Sequence, residues 1–86
     1  MRGTWLPDET QYTNILPRGS YWKLDGQWYA ITPNGHLANI SKHKITEHSD
    51  RTITVMPSIR VSSTHPVRGV VELWHGFLEH GVWRTC

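Results

Sequence analysis

Apolar and polar positions in this chain alternate in short runs and never settle into a sustained 3.6-residue period, so the pattern predicts strands and hairpins. The strongest signal is Tyr21-Trp22-Lys23-Leu24-Asp25-Gly26-Gln27-Trp28-Tyr29-Ala30-Ile31, two aromatic, strand-prone runs around an Asp-Gly pair that suits a two-residue type I′ turn. With Leu24 opposite Gln27, Trp22 falls across from Tyr29 and Lys23 across from Trp28. Both faces of this ribbon then carry aromatics, and both need cover. Pro33-Asn34-Gly35 predicts a second turn, because Asn and Gly tolerate positive φ, and a short strand over Leu37 to Ile40 follows it.

Before the hairpin, residues 1–19 hold Pro7 and Pro17 among scattered polar residues. They predict an irregular arm with one turn of helix after Pro7, pinned to the body by Trp5 and the Ile15-Leu16 pair. Residues 20–86 are expected to form the β domain. Lys42 to Asp50 is polar, with Ile45 as its one apolar residue and Ser49-Asp50 as a turn. Arg51 to Met56 alternates and predicts a half-buried strand. Pro57 marks a strand end or an edge, Ser58 to Ser62 resumes the alternation, and Thr64 to Gly69 is expected to be a loop. Val70 to Leu78 and Val82 to Arg84 predict a closing hairpin with Trp74 in its core and a three-residue connection, Glu79-His80-Gly81, with Gly81 at the left-handed position. The expected fold is all-β or nearly so: a small single-domain antiparallel sheet or barrel built of hairpins, with five to seven short strands.

Composition narrows the class. At 86 residues, with 5 Trp, one thin domain anchored by indoles is expected, since each ring can bury on the order of 150–250 Å². The single cysteine, Cys86, excludes an intramolecular disulfide framework and fits a reducing compartment. Met1 to Glu9 lacks the apolar core of a signal peptide, and no run approaches the ~18 apolar residues of a membrane span, so a cytoplasmic protein without membrane contact is expected. The net charge of +2, pI near 9.0 and 6 His make a mild basic bias. Lys42, His43 and Lys44 lie together, whereas Arg51, Arg60, Arg68 and Arg84 are dispersed and matter for nucleic acid only if folding gathers them.

Candidate chemistry is sparse. His36, His75, His80 and Cys86 are suitable ligands for zinc, but their spacing lacks the two close pairs of a structural site, so no metal and no cofactor is expected. A terminal cysteine nucleophile has no held base or oxyanion hole, the seven carboxylates form no recognisable acid/base pair, and no phosphate loop is present. The chain is therefore read as a non-enzyme. Trp22, Lys23, Trp28 and Tyr29 could stack single-stranded nucleic acid. Alternatively, Tyr21, Lys23 and Trp28, with Arg60, form an exposed protein-binding face, because aromatics and Arg dominate interface anchors. On that view the more apolar face, with Trp22, Leu24, Tyr29 and Ile31, is the buried one.

From Trp28 onward the sequence resembles a family of small uncharacterised phage and prophage proteins that have a zinc-ribbon-like Cys-Pro turn, a Pro-Ser-Ile-x-Val strand and a closing Cys-His-Ser-Phe hairpin. Pro33-Asn34-Gly35-His36, Pro57-Ser58-Ile59-Arg60-Val61 and His75-Gly76-Phe77-Leu78-Glu79-His80-Gly81 carry the likeness. Thr32 and Trp74 stand where the family has cysteines, so the ligand set is lost. The resemblance implies a β-rich fold and a phage origin, hence the host bacterial cytoplasm, and it assigns no activity. The expected function is a small non-catalytic accessory protein that binds a host or phage protein or a second copy of itself. The alternatives are a nucleic-acid-binding small β-barrel and a metal-binding remnant of a zinc-ribbon-like protein.

Overall fold

The first hairpin sets the register of its sheet. In the structure, a computed structural model that describes residues 1–8, Thr10 and 15–86, Ser20–Leu24 (β2) pairs antiparallel with Gln27–Ile31 (β3). Leu24 lies opposite Gln27, Lys23 opposite Trp28 and Trp22 opposite Tyr29, as the alternation predicts. Asp25 and Gly26 both take positive φ, 50° and 75°, which is the type I′ turn. At Pro33-Asn34-Gly35 the Gly35 amide donates to the Thr32 carbonyl at 2.8 Å, with Gly35 at φ 94°, and Leu37–Asn39 (β4) returns along β3.

The first residues of the arm, Met1 to Trp5, are more regular than their sequence suggests. Thr4–Trp5 (β1) pairs parallel with β2, and the residues before it lie against Val82–Thr85 (β8). The Gly3 amide donates to the Gly81 carbonyl and the Trp83 amide to the Met1 carbonyl, both at 2.7 Å. The N-terminal segment thereby stitches the two sheets together. Gly3 is required there, since a Cβ would sit 2.8 Å from the Trp83 indole nitrogen. Trp5 is half-buried against the core as expected, but Ile15 is 99% exposed and pins nothing. The helical turn expected after Pro7 falls on a stretch in which Glu9 and residues 11–14 lie outside the described residues.

Among the described residues there are eight strands and no helix. They form two four-stranded sheets, β1-β2-β3-β4 and β5-β6-β7-β8. The second sheet consists of Lys44–Glu47 (β5), Ile53–His65 (β6), Gly69–Glu79 (β7) and β8, all antiparallel. The all-β expectation holds, but the described strands number eight, against the five to seven short ones expected, and β6 and β7 run to 13 and 11 residues. Three further differences are local. The polar stretch contains β5, whose pairing with Ile53 to Met56 does what its composition cannot. The closing connection is the two-residue turn His80-Gly81, with Glu79 opposite Val82 and both turn residues at positive φ. The expected loop from Thr64 to Gly69 is strand as far as His65 and from Gly69, with only Pro66, Val67 and Arg68 between.

One core lies between the sheets. Tyr21, Trp28, Ala30, Ala38 and Ile40 from the first meet Ile53, Val55, Ile59, Trp74, Leu78 and Trp83 from the second. Trp74 crosses Trp83 edge-on at 5.4 Å, its indole N–H donates to the Thr85 hydroxyl, and its ring lies over Gly76, where a side chain would collide with it. At roughly 25 cal/mol per Å², burying one such indole contributes on the order of 4–6 kcal/mol before entropy is counted. The expectation that the Tyr21, Lys23 and Trp28 face stays exposed is overturned: Tyr21 is fully buried and Trp28 only 7% exposed. The opposite face is covered too, at Trp22 and Ile31. In so short a chain the second sheet has too few large residues to fill the core without these rings.

Candidate functional site

Three features of the second sheet offer chemistry to a partner, and β6 runs through all of them. At the start of β6, the turns His48-Ser49-Asp50-Arg51 and His80-Gly81 lie side by side. The imidazoles of His48 and His80 stack in parallel, centroids 3.7 Å apart and planes 7° apart. Thr54 Oγ1 lies 2.7 Å from His48 Nε2 and accepts the His80 backbone N–H at 3.0 Å. The Thr52 hydroxyl donates to Asp50 at 2.6 Å. That hydrogen bond holds the Asp50 carboxyl below the usual carboxylate range, with the nearby His80 and His48 acting in the same direction. Arg51, in the left-handed conformation at φ 60°, lays its guanidinium 4.4 Å over the Trp5 ring and donates to the Leu6 carbonyl. The His48–Thr54 contact has the reach of a base and a hydroxyl. Among the described residues, however, no carboxylate hydrogen-bonds His48 to orient it, as an activated nucleophile would need.

Further along β6, the strand bulges. Val55 is opposite Leu78 and Ile59 opposite Gly76, so Met56, Pro57 and Ser58 together face the single residue Phe77. The extra backbone arches away from β7 and leaves a cleft of about 340 Å³ with mainly apolar walls, among them Met56, Pro57 and Phe77. Glu79 closes one side and pairs with Arg84, whose guanidinium lies 5.2 Å from the Phe77 ring. Met56 is 58% exposed beside it. Pro57 thus ends no strand, since β6 runs on through it, but it stands where pairing with β5 stops, which is the edge position expected of a proline.

Beyond Val61 the β6/β7 ribbon leaves the core. Residues 62–70 are all exposed, Val67 and Val70 to 89% and 76%. The tip is tied by His65, whose Nδ1 accepts the amides of Val67 and Arg68 at 3.1 Å each.

The residues singled out from sequence are scattered over this frame. Tyr21 and Trp28 are core, Lys23 is half-buried with its ammonium 5.8 Å from the Trp28 ring, and Arg60 is exposed on the ribbon in an ion pair with Glu72 at 3.0 Å. The four do not share an exposed face. Of the metal candidates, His75 Nε2 is bound to Ser58 Oγ, His80 is stacked on His48, Cys86 is exposed, and His36 follows the Asn34-Gly35 turn. Among the described residues no three His, Cys, Asp or Glu side chains converge on one point. Trp22 and Trp28 are buried and not offered to a base. Arg51 and Arg68 lie beyond opposite ends of β6, a 13-residue strand that spans roughly 40 Å, so folding does not gather them. Among the described residues no helix is long and apolar enough to cross a membrane. The sequence analysis missed the cleft and the imidazole stack. The available signals were a proline inside an alternating run and two histidines beside predicted turns. Comparison with models of known families, with curated proteins and with solved structures finds no match.

Proposed function

We propose that this chain is a small non-catalytic accessory protein of phage type that works by binding another protein, with the cleft at Met56, Pro57 and Phe77 as its contact site. The observation that carries the reading is this apolar cleft on the outer face of the second sheet, with exposed Met56 on its wall and Glu79 paired to Arg84 on its rim. Clefts of that size and lining seat an apolar anchor side chain, and a charged pair at the edge orients it while the apolar floor supplies the affinity. The phage origin rests on the sequence resemblance alone.

The test is capture from a lysate of the native host on the immobilised chain, at low and high salt, beside Met56→Glu. Met56 is exposed, so the variant should keep its thermal midpoint. A protein held at both salt concentrations by the parent and released by Met56→Glu supports the reading. A captured set unchanged by Met56→Glu overturns the cleft. Capture of nucleic acid with a steep salt dependence overturns the protein-binding reading in favour of the small nucleic-acid-binding barrel.

A further inference from the structure

The last pair between β5 and β6 is Lys44 with Met56, so from Pro57 onward the outer edge of β6 has no strand beside it among the described residues. A free edge is a row of main-chain N–H and C=O groups, and only another extended chain supplies matching groups at the strand spacing. Ser58 is already occupied, with its carbonyl oxygen 3.2 Å from His43 Nε2. The open edge is therefore Ile59 to His65. It contains no bulge outward of Ser62, no proline and, after Arg60, no Lys, Arg, Asp or Glu. Those are the devices by which sheet edges usually avoid pairing. The outer edge of β7 is protected by comparison: it is bulged at Leu73, the Leu73 carbonyl accepts from Asn34 Nδ2 at 3.0 Å, and Glu72 adds a charge.

We propose that the occupant of this edge is β6 of a second copy of the chain, paired antiparallel about a two-fold axis at Ser62. The choice follows from the sequence of the edge. A two-fold axis at Ser62 sets Arg60 against Thr64, Val61 against Ser63 and Ile59 against His65, uses the whole open edge and opposes no two like charges. It also keeps the two outer faces on the same side, so the half-buried Val61 of each copy stays on the core side. Moving the axis to Val61 would need the occupied Ser58. Moving it to Ser63 would bring Pro66 into the ladder, where it has no N–H to donate. The outcome is one continuous sheet made of two second sheets, six strands in the order β8-β7-β6-β6-β7-β8, with β5 of each copy beside the root of its own β6 and with both clefts on the same outer face.

The test is sedimentation velocity across a concentration series, under reducing conditions so that Cys86 cannot link the copies. The parent should move as a dimer. Ser62→Lys puts two ammonium groups against each other at the axis, and the dimer should be lost. Thr64→Glu puts a carboxylate opposite Arg60 of the other copy, and the dimer should persist to lower concentration. Ser62 and Thr64 are exposed, and circular dichroism checks that each variant folds. In a Cys86→Ser background, Ser62→Cys should form an intermolecular disulfide rapidly on oxidation and Arg68→Cys should not. A parent that stays monomeric at every concentration overturns the proposal and leaves the edge to a strand of another protein. So does a dimer indifferent to Ser62→Lys, or equal cross-linking at positions 62 and 68.

Discussion

The two hairpins β2/β3 and β6/β7 are built by the same rules and put to opposite uses. The first has strands of five residues, a two-residue turn and aromatics on both faces; Tyr21, Trp22, Trp28, Ala30 and Ile31 are buried, and only the turn end is exposed. The second has strands of 13 and 11 residues; its root carries Val55, Ile59, Trp74 and Leu78 into the core, and its far end carries serines, threonines and valines into solvent. A small domain with few large side chains must gather its rings at one place. A ribbon can extend beyond that place only where its own cross-strand pairs hold it, here Arg60 with Glu72 and the His65 cap at the tip. The short hairpin is thus scaffold, and the long one is the surface available to partners.

Trp28→Ala attacks the scaffold side most directly. The ring meets Trp5 at 5.2 Å and is 7% exposed, so its loss should cost about 3–5 kcal/mol and unfold much of the protein, as read by chemical denaturation. A variant that kept its midpoint would place the hairpin outside the core and erase the contrast. Gly26→Val comes next: forcing a β-branched residue to φ 75° should cost roughly 1–2 kcal/mol without touching the core, since a Cβ there meets nothing within 4 Å.

A smaller effect should appear with pH. Asp50 has a depressed pKa in the folded protein, so its contribution is present above the unfolded carboxylate range and is lost as pH falls through the folded value. Asp50→Asn should flatten the fall of the thermal midpoint below about pH 4, and an unchanged acid limb would remove Asp50 from the account. The smallest change should come from the ribbon tip. Val67→Ser, at an 89% exposed position, should shift stability by less than about 0.5 kcal/mol. A large loss there would mean that the tip is packed and that the two hairpins differ less than their exposures indicate.

Local chemistry made much of this legible in the sequence. Asp25-Gly26 dictates its turn and, through the turn, every cross-strand pair of the first hairpin. Pro33-Asn34-Gly35 does the same for the return to β4. What was not legible depends on distant partners. Lys44 to Glu47 is a strand because Ile53 to Met56 lies beside it, and Thr4–Trp5 because Ser20–Tyr21 does. His80 takes a φ of 48° that favours Asn or Gly, and nothing in its neighbours announces that its ring will rest on His48. The face of the first hairpin could not be chosen by counting apolar residues, because the core takes one face and the other is covered as well. Apolar clefts such as the one opposite Phe77 arise from a register difference between two strands, which no single run of residues encodes.

The edge-on pair of Trp74 and Trp83 also gives the molecule an optical signature of its own. Two indoles at 5.4 Å and 79° are close enough for their electronic transitions to mix, so the folded chain should show a split pair of circular-dichroism bands of opposite sign in the aromatic far ultraviolet. Trp74 sits on β7 and Trp83 on β8, and the Trp83 indole donates across to the Gly19 carbonyl beside the first sheet. Trp5 and Trp28, at 5.2 Å and 60°, couple in the same band within the first sheet. The part of the couplet that is lost in Trp83→Phe is therefore the part that follows the junction of the two sheets, and it can be recorded on the unlabelled protein while the ribbon is altered or a partner is added.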